Sequence, residues 1–187
     1  MNALAIVLAL LFSAQGAAPV TRITRGDLSS IEKNLDNRLA RANVPDSFDI
    51  LGTTRGVYLA GFGAVFSAEL NLVVTPNLSP FHPVFTKQEI ARIHDRKLQR
   101  LPVLKQNMRG MLVASAANLE NLPPNEQVVL AVSLFHFSWE NTNGIPNQIV
   151  MQAQRQQAHE QSSCHGPSFR HGSGSLTGIL NFRSLVS

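Results

Sequence analysis

From Tyr58 to Val74 every even position is apolar: Tyr58, Ala60, Phe62, Ala64, Phe66, Ala68, Leu70, Leu72 and Val74. The odd positions turn polar at Ser67, Glu69 and Asn71. A period of two sends alternate side chains to opposite faces of an extended chain, so one face is buried and, in the later half, the other is wet. The run commits the chain to a sheet with something laid over one side. It is too long for one ordinary strand of roughly 3–10 residues. Gly61-Phe62-Gly63 is the natural place for a turn or bulge. The region reads as a meander of 48–51, ended by Gly52-Thr53-Thr54-Arg55-Gly56, then 57–60, then 64–74.

Gln127 to Trp139 is the strongest strand pattern. Val128, Leu130, Val132 and Leu134 lie on one side, and Val129, Ala131, Phe135 and Phe137 on the other. Apolar residues on both faces predict a central position in the sheet. Beyond the turn at Glu140 to Gly144, Ile149, Met151 and Ala153 alternate with Val150, Gln152 and Gln154. That alternation predicts a partner strand over 146–154, with a helix from Pro146 as the competing reading.

Three helices are expected. Asp27 is placed to cap a helix over 27–42, where Leu28, Ile31, Leu35 and Leu39 recur at spacings of three and four. It should stop before Val44-Pro45. Thr86-Lys87-Gln88-Glu89 fits a capping box and opens a helix over 87–101. Pro102 should break it and, being tolerated at a helix start, open another over 103–120. The expected fold is α+β: an antiparallel sheet of four to five strands (48–51, 57–60, 64–74, 127–139, 146–154), the two central helices on one face, and the 27–42 helix at an edge.

The N-terminus carries an address. Ala3 to Phe12 is unbroken apolar sequence, and Ala14 and Gly16 put small residues three before and one before a cut after Gly16. This predicts a cleaved export signal over 1–16, although Met1-Asn2 supplies neither Lys nor Arg. A buried helix fits less well, because the stretch has no polar face. An uncleaved anchor would need about 20 apolar residues, and no later segment reaches that length, so no membrane span is expected in the mature chain. Without a Cys after the apolar run, no lipid-modified terminus is expected. A leader over 17–26, one domain over 27–154 and a polar, disordered tail over 155–187 complete the organisation. Localisation is therefore expected to be periplasmic or secreted. Cys164 is the only cysteine, which excludes an internal disulfide and leaves only intermolecular pairing.

The formal charge of +4 is unevenly spread. Lys87, Arg92, Arg96, Lys97, Arg100, Lys105 and Arg109 face only Glu89 and Asp95, seven cations against two acids. Arg92, Arg96 and Arg100 recur every four residues and predict a stripe able to meet phosphates of lipid headgroups or envelope polymers. A solvated helix face is the plainer account of the same pattern. Export makes nucleic acid a poor partner, and no aromatics interleave the cations to stack bases.

Catalytic and cofactor signals are weak. Gly61-Phe62-Gly63 lacks the third glycine and the following helix of a dinucleotide loop, so no cofactor is expected. His159, Cys164, His165 and His171 have metal-ligand side chains but lack the tight paired spacing of a structural site. Cys164 beside His165 has nothing to hold a nucleophile's geometry. Glu69 with Asp49 is the nearest approach to a carboxylate pair, but Glu69 falls on the polar face of its strand. His136 reads as a hydrogen-bonded histidine of the central strand. The expectation is a non-enzymatic binding or interaction module of the envelope or secreted space, binding a protein or envelope component through the sheet edge or the arginine stripe. A hydrolase or transferase with an unmarked site, and anionic-surface binding through 87–109, are the alternatives.

Overall fold

The computed structural model describes residues 23–42, 47–75, 85–158 and 185–186. The expected signal over 1–16 and most of the leader lie outside the described residues, as does the tail over 159–184. No helix among the described residues is long and apolar enough to cross a membrane.

Helix α1 (Arg25–Arg41) starts two residues before the expected site. Thr24, not Asp27, is the cap: its hydroxyl accepts from the Asp27 amide at 3.2 Å, and the Asp27 carboxylate accepts from the Thr24 amide at 2.8 Å. The pattern Thr24-Arg25-Gly26-Asp27 is itself a capping box, with Asp at its third position. These hydrogen bonds, first that from the Thr24 backbone, hold the Asp27 carboxyl below its ordinary value. The α1 helix ends at Ala42, and Leu28, Ile31, Leu35 and Leu39 form its buried stripe.

After α1 come β1 (Asp49–Ile50), β2 (Arg55–Leu59) and β3 (Gly63–Asn71). β1 and β2 run antiparallel to β3 along the same edge of it. The β2–β3 turn contains Gly61 at φ 80°, a conformation that suits glycine. Gly63 stands at φ 137°, so close to the next strand that a Cβ there would lie 1.9 Å from the Gln127 carbonyl oxygen.

The connection from β3 is a crossover. Helix α2 (Lys87–Asn118) opens with the expected Thr86–Glu89 box and runs unbroken for 32 residues. The two expected helices, 87–101 and 103–120, are thus one. Proline costs the helix the hydrogen bond to residue 98, but Pro102 projects to solvent and leaves the packed stripe intact. Leu101, Leu104, Met108, Met111 and Leu112 continue across it on the buried face. Apolar burial of roughly 1.5–3 kcal/mol for each such side chain outweighs the roughly 3 kcal/mol that an interior proline costs.

This crossover lays β4 (Gln127–Leu134) parallel to β3, with Ala64 opposite Val128 and Leu70 opposite Leu134. The sheet is therefore mixed rather than wholly antiparallel. A long helical connection is what a parallel pair requires, and 87–118 supplies it. β5 (Gln148–Gln154) and β6 (Leu185–Val186) follow antiparallel, giving the order β1/β2, β3, β4, β5, β6. β4 stops five residues short of the expected Trp139. The Phe135 carbonyl accepts from the Lys97 ammonium at 3.3 Å, and Phe135 and Phe137 turn into an aromatic ladder that ends at Trp139 and Phe85. Past Gln154 the chain continues in a helical turn, 155–158, with Ala158 buried.

Both helices lie over one face of the sheet. Ala64, Phe66 and Leu70 of β3, Val128, Leu130 and Val132 of β4, and Ile149 and Met151 of β5 share one core with the apolar stripes of α1 and α2. The outer sheet face is left to Val57, Val65, Val129, Val150 and their polar neighbours.

Candidate functional site

The helical layer carries a broad concavity. An open groove of about 900 Å³ runs between α1 and α2, lined on the α1 side by Ser30, Lys33, Asn34, Asn37, Arg38 and Arg41 and on the α2 side by Gln106, Asn107 and Gly110. Ala42 and Met111, both buried, form its floor. The groove follows from the helix periods. Residues 34, 37, 38 and 41 sit on one side of α1 at spacings of three and four, as do 106, 107 and 110 of α2. At Gly110 a Cβ would meet nothing within 4 Å, so the space over it is open. The Arg38 guanidinium spans the groove and donates to the Gly110 carbonyl at 3.1 Å. Lys33 and Arg41 have no hydrogen bond or ion pair among the described residues. Three cations and four carboxamides converge here, with no carboxylate in the lining.

The carboxylates are spent elsewhere. Glu32, buried on α1, receives the Arg25 guanidinium in a two-pronged contact at 2.7 and 2.9 Å and the Gly56 amide at 2.7 Å. Asp36, one turn on, accepts from the Thr54 amide and hydroxyl at 2.9 and 2.6 Å. Arg25 also donates to the Gly56 carbonyl at 3.0 Å. The outward backbone groups of the β2 edge thus bond to α1, which blocks a further strand there. Gly56 is needed for this approach, because a Cβ would lie 2.7 Å from the Phe66 ring.

Glu126 does similar work at the other end, accepting from the Gly61 amide at 3.0 Å and the Tyr58 hydroxyl at 3.2 Å. Burial first, then the Glu126 carboxylate, pushes the Tyr58 phenol above its usual value of 10.0.

The sequence stripe is divided. Arg92 and Arg96 are exposed, but Arg100 is buried and lies 4.6 Å from the Phe48 ring centroid. Residues four apart drift about 40° around a helix of 3.6 residues per turn, so two steps carry Arg100 round towards the core. Lys97 is buried as well, with its ammonium on Glu140 and on the Phe135 carbonyl. Lys87 and Arg109 are exposed and Lys105 is half-buried.

His136 lies beyond the end of β4, its Nδ1 3.7 Å from the Glu140 carboxylate and its Nε2 3.5 Å from the Pro146 carbonyl. Lys97, Glu140 and His136 form a closed cluster that pins the 135–146 loop to α2. Glu69 is exposed, and Asp49 pairs in register with Asn71, which sets the two carboxylates diagonally rather than opposite. His159, Cys164, His165 and His171 lie outside the described residues. Among the described residues no three His, Cys, Asp or Glu side chains are grouped to hold a metal ion. Gly61 and Gly63 serve the β2–β3 turn and the close approach to β4.

Sequence reasoning missed the groove. Lys33, Arg38 and Arg41 look like the ordinary wet face of an amphipathic helix, and nothing in the sequence says that residues 106–110 lie beside them. No protein-family model, curated protein or solved structure matches the chain.

Proposed function

We propose that this chain is an exported, non-enzymatic binding module of the cell envelope or secreted space, and that its ligand is an anion taken into the groove between α1 and α2. The observation that carries the reading is the groove lining: Lys33, Arg38 and Arg41 with Asn34, Asn37, Gln106 and Asn107, and no acid among them. Cations supply attraction and carboxamides supply directed donors, the combination that recognises phosphate or carboxylate groups. Catalysis is disfavoured by the same lining. It holds no His, Asp, Glu or Cys, and its one hydroxyl, that of Ser30, already donates to the Gly26 carbonyl at 3.1 Å. Export rests on the apolar run and small-residue cleavage pattern of 1–16.

A groove admits a small anion or an extended polyanionic chain, whereas a flat bilayer surface cannot follow a concavity. The reading therefore favours a phosphate- or carboxylate-bearing envelope polymer over anionic lipid. Titration with polyphosphate should give salt-sensitive binding that charge reversal of Lys33 and Arg41 abolishes. Anionic vesicles should bind more weakly. If reversal at Arg92 and Arg96 abolishes binding and reversal at Lys33 and Arg41 does not, the exposed half of the α2 stripe is the surface and the groove reading fails. Mass spectrometry of the exported protein should find Ala17 at the N-terminus.

A further inference from the structure

The three cations of the α1–α2 groove do not gather at one point. Lys33 precedes Arg38 and Arg41 on α1 by about 7.5 and 12 Å along the axis, at about 1.5 Å per residue. It is also turned about 140° around the helix from Arg38, whereas Arg38 and Arg41 are only about 60° and 4.5 Å apart. Helical side chains lean towards the N-terminus, so Arg41 leans back towards Arg38 while Lys33 leans away from both. The Arg38 guanidinium is already held in place, because it donates across the groove to the Gly110 carbonyl at 3.1 Å. The rest of its planar fork is left for a ligand, with no further ordering of the side chain required. Lys33 and Arg41 are exposed and make no hydrogen bond or ion pair among the described residues.

We infer that the groove holds a linear chain of repeating phosphate groups lying along α1, with one phosphate between Arg38 and Arg41 and a later one on Lys33, roughly 10 Å away. This rests on the anion reading of the groove and decides between its two forms, the small anion and the extended chain. A single anion between the arginines leaves Lys33 pointing away from it. A chain that runs from that position towards the start of α1 passes Lys33. Two guanidinium forks and the carboxamides of Asn34 and Asn37 bring more N–H donors to the first position than the two oxygens of a carboxylate accept, which favours phosphate. No aromatic ring lines the groove among the described residues, so a nucleic acid finds nothing there to stack its bases on. Contact at two places on one chain raises affinity, because the second contact forms within the complex.

Amide NMR titration of the isotope-labelled protein with orthophosphate and with a long polyphosphate, compared at equal phosphate concentration, tests this. The long chain should bind about tenfold or more tightly per phosphate. Lys33→Gln should remove that gain and leave orthophosphate binding within about twofold, whereas Arg41→Gln should weaken both ligands about tenfold. Lys87→Gln and Arg92→Gln remove equal charge from exposed positions of α2 and should leave long-chain binding within about twofold. Circular dichroism checks that each variant is folded. Orthophosphate as tight per phosphate as the long chain, or Lys33→Gln without effect on the long chain, overturns the proposal while the groove remains an anion site. A loss from the α2 variants equal to that from Lys33→Gln shows general attraction and overturns it too. If neither phosphate ligand binds, or Arg41→Gln weakens neither, the groove reading fails and the proposal with it. Polyglutamate or oligothymidylate that binds more tightly than polyphosphate at equal charge overturns the phosphate chain as occupant.

Discussion

Replacing Glu140 by Ala should be one of the most damaging single changes available outside the apolar core. The Lys97 and Glu140 side chains are 1% and 2% exposed, so each charge has left water almost completely. Removing the carboxylate leaves a buried ammonium whose remaining acceptor is the Phe135 carbonyl at 3.3 Å. Breaking a buried pair in this way costs about 3–5 kcal/mol, against a total stability of about 5–15 kcal/mol for a domain. The midpoint of thermal unfolding should fall by about 10 °C, taking about 2–4 °C per kcal/mol at this chain length. Trp139 is the only tryptophan and its ring lies 5.4 Å from that of Phe137 and 4.2 Å from that of Phe85, so its fluorescence reports the loop directly. Urea titration followed by that signal gives the stability change. The double variant Lys97→Met, Glu140→Leu should recover to within about 1 kcal/mol of the parent, because it removes both desolvation penalties together. Glu140 Oε1 has no hydrogen-bond partner among the described residues, which further lowers the net worth of the pair. A loss below about 1 kcal/mol for Glu140→Ala would refute the burial argument. A double variant as unstable as the single would show that the ionic attraction itself was the main stabiliser.

Tyr58 is the only tyrosine, so an absorbance titration reads one phenol, and its midpoint in the folded protein should lie above 10.0. Since the folded state holds that proton longer than the unfolded state, stability should decline as pH rises through the unfolded value towards the folded one, and Tyr58→Phe should flatten that decline. Gly63→Ala should cost more than about 3 kcal/mol or prevent folding, because its Cβ would lie 1.9 Å from a backbone oxygen, whereas Gly61→Ala, with open space around it, should cost only about 1–2 kcal/mol of backbone strain; urea midpoints of the two variants compare them. Pro102→Ala should raise stability by about 1–2 kcal/mol: it restores a helix hydrogen bond at a solvent-facing position, less what the unfolded chain gains in freedom. A lower urea midpoint for that variant would mean that the proline shapes the packing of α2.

Where local chemistry decides an element, the sequence was easy to read. Thr86 and Glu89 announce the start of α2, and the alternation from Ala64 to Leu70 announces β3 and the face it buries. Where distant packing decides, it was not. Pro102 looks like a break because propensity sees only the lost hydrogen bond, not the buried Leu101, Leu104 and Met108 side chains that carry the helix through it against the core. The parallel pairing of β3 with β4 is a property of the whole crossover, and neither strand's own pattern distinguishes it from an antiparallel pair. Lys97 and Arg100 look like solvated cations because their acceptors, Glu140 and the Phe135 carbonyl for Lys97 and the Phe48 ring for Arg100, lie some forty to fifty positions away in sequence. The α1–α2 groove is hidden for the same reason: its two walls are separated in sequence by β1, β2 and β3.

The charge balance of the surface follows from how the acids are used. Six of the twelve carboxylates accept hydrogen bonds inside the described structure: Asp27 and Glu89 in capping boxes, Glu32 and Asp36 at the β2 edge, Glu126 under the β2–β3 turn, and Glu140 beneath the 135–146 loop. Asp27, Glu32, Asp36, Glu89 and Glu126 each accept from a backbone amide that the sheet or helix leaves without a partner, and Glu140 accepts from the Lys97 ammonium. Apart from Arg25 on Glu32, none of the six is therefore available to balance an exposed cation. Among the cations, Arg25 and Lys97 meet those acids, while Lys33, Arg41, Lys87 and Arg92 meet none among the described residues. A formal charge of +4 therefore understates how cationic the helical layer is. Substituting the structural acids by their amides should loosen the fold without weakening anion binding, whereas reversing Lys33 and Arg41 should abolish binding and leave the fold alone. That separation is what a dedicated binding surface requires, and a merely solvated helix face would show no binding to lose.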